Sequence, residues 1–412
     1  MSVEMKDSGI NWIGEIPKHW EVKRFKNFIE LINTPSCSLN KIGLENIEGE
    51  TGHFIPSESK FEGNGIQFLV NNIVYGKLRP YLQKVWLATF DGNAVGDFFV
   101  FKTQNNSIPK YVKWLMLSDG FTKMVDSSTY GAKMPRVASD FILNLPFYLP
   151  SVEEQYRIAN FLDKKCAEID ELIVLQEQMI AQLNTYKQAV ITETVTKGLD
   201  PNVKMKDSGV EWIGEIPEHW ELRKIGTLFR LSDERNYKSM EEVQLLSLYT
   251  GIGVFPHGEQ EERGNKAVTV QGYKIVHKND VVVNIILAWM GAIGVSNYDG
   301  VTSPAYDVYI PNRNVIPHYF HYVFRTKGIA DECYKYGRGI MMMRWRTYSS
   351  EFKQILIPYP SISEQQSIAQ YLDQKCKEID ELISIKKEKI EHLKAYKKSV
   401  IYEYVTGKKQ VV

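Results

Sequence analysis

Two stretches of the 412-residue chain place their apolar side chains at alternating spacings of four and three. In the first, Leu162, Cys166, Ile169, Ile173, Gln176, Ile180, Leu183, Lys187, Val190 and Thr194 fall on one line. Leu372, Cys376, Ile379, Ile383, Lys386, Ile390, Leu393, Lys397, Val400 and Tyr404 do the same in the second. This is the period of a heptad seam. Each stretch opens after a proline with Ser-x-x-Glu, Ser151 with Glu154 and Ser361 with Glu364, whose side chains can satisfy the free N–H groups of a first helical turn. Neither proline nor glycine follows until Gly198 and Gly407.

The spacing predicts two helices of about 45 residues, each about 67 Å long at 1.5 Å per residue. Neither can hide its apolar stripe alone. The two seams are each other's natural partners within the chain. An antiparallel coiled coil is expected, because a parallel pair would need the intervening chain to return over the full helix length. The expected pseudo-two-fold axis passes near Gln176 and Lys386, with Cys166 opposite the region of His392.

The helices belong to a longer repeat. Met5-Lys-Asp-Ser-Gly-Ile-Asn-Trp-Ile-Gly-Glu-Ile-Pro-Lys-His-Trp-Glu21 returns 200 positions later as Met205-Lys-Asp-Ser-Gly-Val-Glu-Trp-Ile-Gly-Glu-Ile-Pro-Glu-His-Trp-Glu221. The block from Pro150 through Ile173 returns 210 positions later, from Pro360 through Ile383. A period this long means duplicated domains and not a solenoid. The expected divisions are a variable domain at 1–150, a helix and linker at 151–200, a second variable domain at 201–360 and a second helix at 361–412.

Between the fixed blocks the pattern turns to short β-rich runs, 67–70, 85–89 and 98–102 in the first half and 281–287, 306–310 and 355–357 in the second. A helix is expected after Ile108-Pro109 and again after Ile316-Pro317. The fold class is therefore α+β, with two α/β domains separated by two long helices. Phe90-Asp91-Gly92 answers Tyr298-Asp299-Gly300 at a shift of 208, so the domains share a scaffold.

Their tips do not match. Tyr75 to Lys84 interleaves basic residues with aromatics, while Val283 to Gly291 offers Asn284 and Trp289 among apolar residues. Lys77, Arg79 and Lys84 are candidates for phosphate or guanine contacts, since arginine can fork onto guanine and lysine neutralises phosphate; a solvated strand edge would look the same. A second loop precedes each capping box. It carries Lys133 and Arg136 in the first half, and Arg338, Arg344, Arg346 and Tyr348 in the second, where Met341, Met342 and Met343 suit core packing or a groove wedge. Arg136 and Arg346 coincide at the 210 shift. His19 and His219, in identical contexts, read as a clamp between domain and helix, and His318 with His321 as one exposed helical face.

Fifty basic residues balance fifty acidic ones, an unusual sum for a freestanding DNA binder. Either DNA is not the partner or another subunit supplies positive surface. The four cysteines, Cys37, Cys166, Cys333 and Cys376, lack metal-ligand spacing and read as buried free thiols, so no metal or cofactor is expected. Without a membrane-length apolar run or a signal pattern, the expected location is the cytoplasm.

Two variable domains alternating with two near-identical helices, the Trp-Ile-Gly-Glu-Ile-Pro-x-His-Trp openers, Lys77-Leu-Arg-Pro-Tyr81 and Pro-Ser-x-x-Glu-Gln resemble the specificity subunits of type I restriction–modification systems along essentially the whole chain. The resemblance implies a non-catalytic subunit whose domains each recognise half of a bipartite, asymmetric site in double-stranded DNA. It also implies helices that set the spacing and dock two methyltransferase subunits, with restriction and motor subunits joining the complex. Neutral charge is then expected, because the partners would enclose the DNA. Two other classes stand beside it. One is a coiled-coil adaptor without DNA contact. The other is an enzyme: an amino-methyltransferase, for which Ser303-Pro-Ala-Tyr306 is a degenerate motif broken by Ala305, or a nuclease, on Glu351-Phe-Lys353.

Overall fold

The computed structural model describes residues 4–10, 13–37, 40–58, 61–104, 106–131, 133–258, 269–339 and 345–411. The chain divides into two compact units, residues 1–177 with 387–412, and residues 178–386. Each unit contains one variable domain, the N-terminal part of the helix that follows it and the C-terminal part of the other helix.

The helices run Val152–Lys197 and Ile362–Val405. Ser151 Oγ accepts from the Glu154 N–H at 3.3 Å while Glu154 Oε2 accepts from the Ser151 N–H at 3.0 Å, and Ser361 with Glu364 repeat the arrangement at 3.3 and 3.1 Å. At the other ends Gly198 and Gly407 take the left-handed conformation, with φ of 79° and 69°, that closes a helix. Side chains are excluded there on two counts, since a Cβ on Gly407 would stand 2.6 Å from the Pro17 ring and one on Gly198 3.1 Å from Trp220.

Every seam position, Leu162 to Thr194 and Leu372 to Tyr404, is buried or half-buried. In the first unit Phe161 packs on Tyr404 with ring centroids 4.3 Å apart, and nine residues further along Asp170 meets Lys397, so the helices run antiparallel. The register differs from the expected one. Cys166 shares its core cluster with Val400 and Ile401, and does not face His392, because the Asp170–Lys397 pair fixes the alignment about two turns away.

Each variable domain is built on a four-stranded antiparallel sheet. In the first unit its order is Ile29–Ile32, Phe98–Thr103, Ile73–Gly76 and Val85–Leu87; in the second it is Phe229–Ser232, Tyr306–Pro311, Val281–Asn284 and Ile293–Val295. Val100 pairs with both Ile32 and Val74, and Val308 with both Ser232 and Val282. The strands Ile73–Gly76 and Val281–Asn284 are buried throughout, as central strands covered on both faces must be. That changes the sequence reading: Tyr75 and Asn284 belong to the scaffold and not to the tips. The run expected at 67–70 is strand only through Phe68, and Leu69 and Val70 lie half exposed in the following turn. Aspartates hold matching turns, Asp91 accepting from the Val70 N–H at 2.7 Å and Asp299 from the Lys278 N–H at 2.9 Å.

Short two-stranded pairs carry the chain from scaffold to helix. Glu21–Arg24 pairs with Pro146–Leu149, and Glu221–Lys224 with Leu356–Tyr359. Below them sit the large cores, with Trp20 stacked on Tyr148 at 5.2 Å in the first unit and Trp220 fully buried in the second. Of the cysteines, Cys166, Cys333 and Cys376 are buried, but Cys37 is exposed, contrary to the reading of all four as core thiols.

Candidate nucleic-acid interface

A tip loop can present side chains to a ligand only if its domain is fixed to something rigid. Here the anchor is the long helix, and the same three side chains provide it in both units. Glu154 Oε1 bonds His19 Nε2 at 2.8 Å and accepts from the Trp20 indole at 3.3 Å; Glu364 does the same with His219 and Trp220, both at 2.8 Å. Burial alone would raise the Glu364 carboxyl, yet the donors Ser361, Trp220 and His219 outweigh it and hold the group down at about 2. At the next residue, Gln155 accepts from the Ile108 N–H at 2.8 Å and Gln365 from the Ile316 N–H at 2.9 Å. Further along, Asp163 takes Lys110 and the Trp114 indole, and Asp373 takes His318 and the Tyr322 hydroxyl. The histidine clamp expected from the repeat is thus present, His19 and His219 bridging domain to helix.

His318 and His321 are not one exposed face. His318 lies exposed against Asp373 at 2.6 Å, whereas His321 turns inward, where burial above all, with Arg325 and His318 nearby, pulls its ring down to about 3.

In the first unit the two tip loops are joined. Val137 donates its N–H to the Lys77 carbonyl at 3.2 Å, and Arg79 donates its own to the Pro135 carbonyl at 2.8 Å. Lys77, Arg79, Lys133 and Arg136 are brought to one region by this pairing. Asp97 lies between them. It accepts from Arg136 Nε at 3.0 Å and Nη2 at 2.8 Å, with Lys77 Nζ 3.8 Å away, and the Arg136 hydrogen bonds hold its carboxyl below the usual range. Arg79 and Lys133 are exposed and make no side-chain hydrogen bond or ion pair among the described residues. Lys84 differs from expectation: its ammonium donates to the Leu44 and Ile47 carbonyls at 2.6 and 2.8 Å, pinning a neighbouring turn, and burial lowers its pKa.

The second unit uses the same joint with other side chains. Thr347 donates its N–H to the Ile285 carbonyl at 2.9 Å, and Arg338 and Arg346 pair through their backbones. Arg338 is held by Glu351, while Arg346 and Tyr348 are exposed without a side-chain partner among the described residues. Asn284 is buried, its carbonyl oxygen accepting the Ile286 N–H at 3.1 Å, so it shapes the turn. Trp289 spends its indole N–H on the Ile286 carbonyl at 3.0 Å and packs beside Tyr334, on which Trp345 stacks at 5.2 Å. Arg344 and the three methionines lie outside the described residues. Sequence reasoning missed Asp97 and Trp345; Asp97 follows a glycine at a strand start, where no local pattern reports a partner about 40 residues away.

Residues 217–395 match the family model described as the type I restriction modification DNA specificity domain. Two relatives from Methanocaldococcus jannaschii match end to end: the putative type I restriction enzyme MjaX specificity subunit, 26% identical over 97% of this chain and 96% of its own, and the MjaVIII specificity subunit, 25% identical over 96% and 94%. The chain is similar along nearly its whole length to type I restriction–modification specificity subunits. The fold agrees with that family: a solved chain from a study of assembly and conformational transition of the type I R-M system superposes with a TM-score of 0.72, at 16% identity, over 95% of this chain and 99% of its own. The HsdS subunit from Thermoanaerobacter tengcongensis gives 0.55 at 16% identity, over 95% and 98%. Among the described residues no helix is long and apolar enough to cross a membrane.

Proposed function

We propose that the chain reads a bipartite, asymmetric sequence in double-stranded DNA, one half-site for each variable domain, and that its helices fix the spacing and dock two methyltransferase subunits, with restriction and motor subunits joining that complex. The observation that carries this reading is the repeated joint between the two tip loops. One scaffold fixed to its helix by one set of contacts ends in Lys77, Arg79 and Arg136 in the first unit, and in Arg338, Arg346 and an aromatic cluster in the second. Equal scaffolds with unequal tips suit two different targets. The role is recognition and not catalysis, in keeping with the specificity-subunit family.

Balanced charge favours DNA binding shared with partners. Bandshifts of the chain alone and with its methyltransferase test this. The expected result is weak binding with a shallow salt dependence alone, and sequence-dependent binding in the complex. Absence of sequence dependence in both would favour a coiled-coil adaptor.

A further inference from the structure

Resting on that reading, we infer that Arg79 is the base-reading residue of the first domain, and that Asp97 and Arg136 are positioning residues that build its platform.

Arg136 has one guanidinium edge occupied, Nε and Nη2 both bound to Asp97. Forking onto guanine takes two N–H groups of one guanidinium edge; the carboxylate takes the Nε edge of Arg136 and fixes that side chain in the loop joint, whereas Arg79 keeps all of its guanidinium N–H groups free among the described residues. Lys77 faces the same carboxylate. Of the arginines in this tip, Arg79 alone has an exposed guanidinium unengaged among the described residues.

Its backbone supports the assignment. Arg79 sits at φ 52°, ψ 65°, a left-handed conformation that ordinary side chains avoid, and it precedes Pro80, which restricts it further. Two hydrogen bonds maintain it, the Arg79 N–H to the Pro135 carbonyl at 2.8 Å and the Leu82 N–H to the Arg79 carbonyl at 2.9 Å. The Pro135 contact comes from the loop segment that Arg136 and Asp97 anchor, so the ion pair holds the loop from which Arg79 projects. Strain retained at an exposed loop apex points to a use for the side chain it presents.

The repeat separates the roles independently. Arg136 has a counterpart in Arg346, so it is common to two domains with different tips. Arg79 corresponds to Leu287 at the 208 shift of the central strands. A residue shared by both domains cannot be what distinguishes their targets; one that differs can.

The test uses the full chain with its methyltransferase, and duplexes substituted one position at a time through the first half-site. Arg79→Lys keeps the charge and removes the fork. It should reduce discrimination roughly ten- to a hundred-fold at one or two positions, leaving the second half-site unchanged. Arg79→Gly relieves the left-handed strain, so it should unfold at a higher temperature and yet lose the same discrimination, a combination no purely structural role gives. Arg136→Lys and Asp97→Asn loosen the platform, so they should lose part of the discrimination, and only at the positions that Arg79→Lys affects. Retained discrimination in both Arg79 variants, or loss in Arg136→Lys at a position that Arg79→Lys leaves unchanged, overturns the assignment. Absence of sequence preference in the unmodified complex would instead sink the proposed function.

Discussion

Lys397 donates to both carboxylate oxygens of Asp170 at 2.7 Å, from a seam position where its side chain is 10% exposed. Lys187 meets Asp380 in the same way at 2.8 and 2.6 Å in the other unit. A lysine in an apolar seam is costly unless paired, so each aspartate admits one register and penalises its neighbours.

Lys397→Ala should therefore destabilise the chain by about 1.5–3 kcal/mol, the range for a hydrogen-bonded charge whose partner is left behind. Changing Asp170 to Asn and Lys397 to Met together should recover much of that loss, since no charge then remains unpaired. Urea unfolding of Asp170→Asn, Lys397→Met and the double variant gives the coupling directly; additive losses would mean that the pair does not fix the alignment.

Acid sensitivity should trace in part to His321. Its folded pKa, about 3, lies below the ordinary 6.5. The unfolded chain therefore takes up the proton first as pH falls, and the stability that the neutral, buried ring contributes is complete above about 6.5 and lost between there and 3. The groups facing it are Arg325, His318 and Asp373. His321→Gln should flatten the fall of melting temperature between pH 6.5 and 4; an unchanged slope would locate the sensitivity elsewhere.

The first helix alone carries both partners of the ion pair, Asp170 and Lys187, since they correspond to Asp380 and Lys397 at the 210 shift. A fragment ending near Asp200 keeps one variable domain, one apolar seam and both charges. Two copies aligned antiparallel would set Asp170 of each against Lys187 of the other. The fragment should be a dimer by mass in solution, and with its methyltransferase should modify a palindromic target made of the first half-site. A monomer, or the original asymmetric target, would contradict this.

The long helices were legible because their signals are local and periodic. Ser151 with Glu154 caps within one turn, and Leu162 to Thr194 repeat one spacing for the helix length. The matching of the two halves was legible from the repeat, and the structure adds the contact of each helix end with an opener, Gly198 on Trp220 and Gly407 on Trp20. Tip chemistry was not. Whether Lys84, Asn284 or Trp289 faces solvent depends on carbonyls and N–H groups that only tertiary structure brings near, and a polar residue in a tip loop as often completes a turn as it awaits a ligand. The seam register escaped for a related reason, since heptads fix which face is buried but not how far one helix slides along the other.

The central claim is that one chain reads two different half-sites at a fixed separation. Mapping the methylated adenines in DNA from a host expressing the chain with its methyltransferase addresses it most directly. The expected result is an asymmetric target of two short specified segments around an unspecified spacer of constant length, with Arg79→Lys relaxing only one segment. A single uninterrupted motif, a variable spacer or modification without sequence preference would contradict the account.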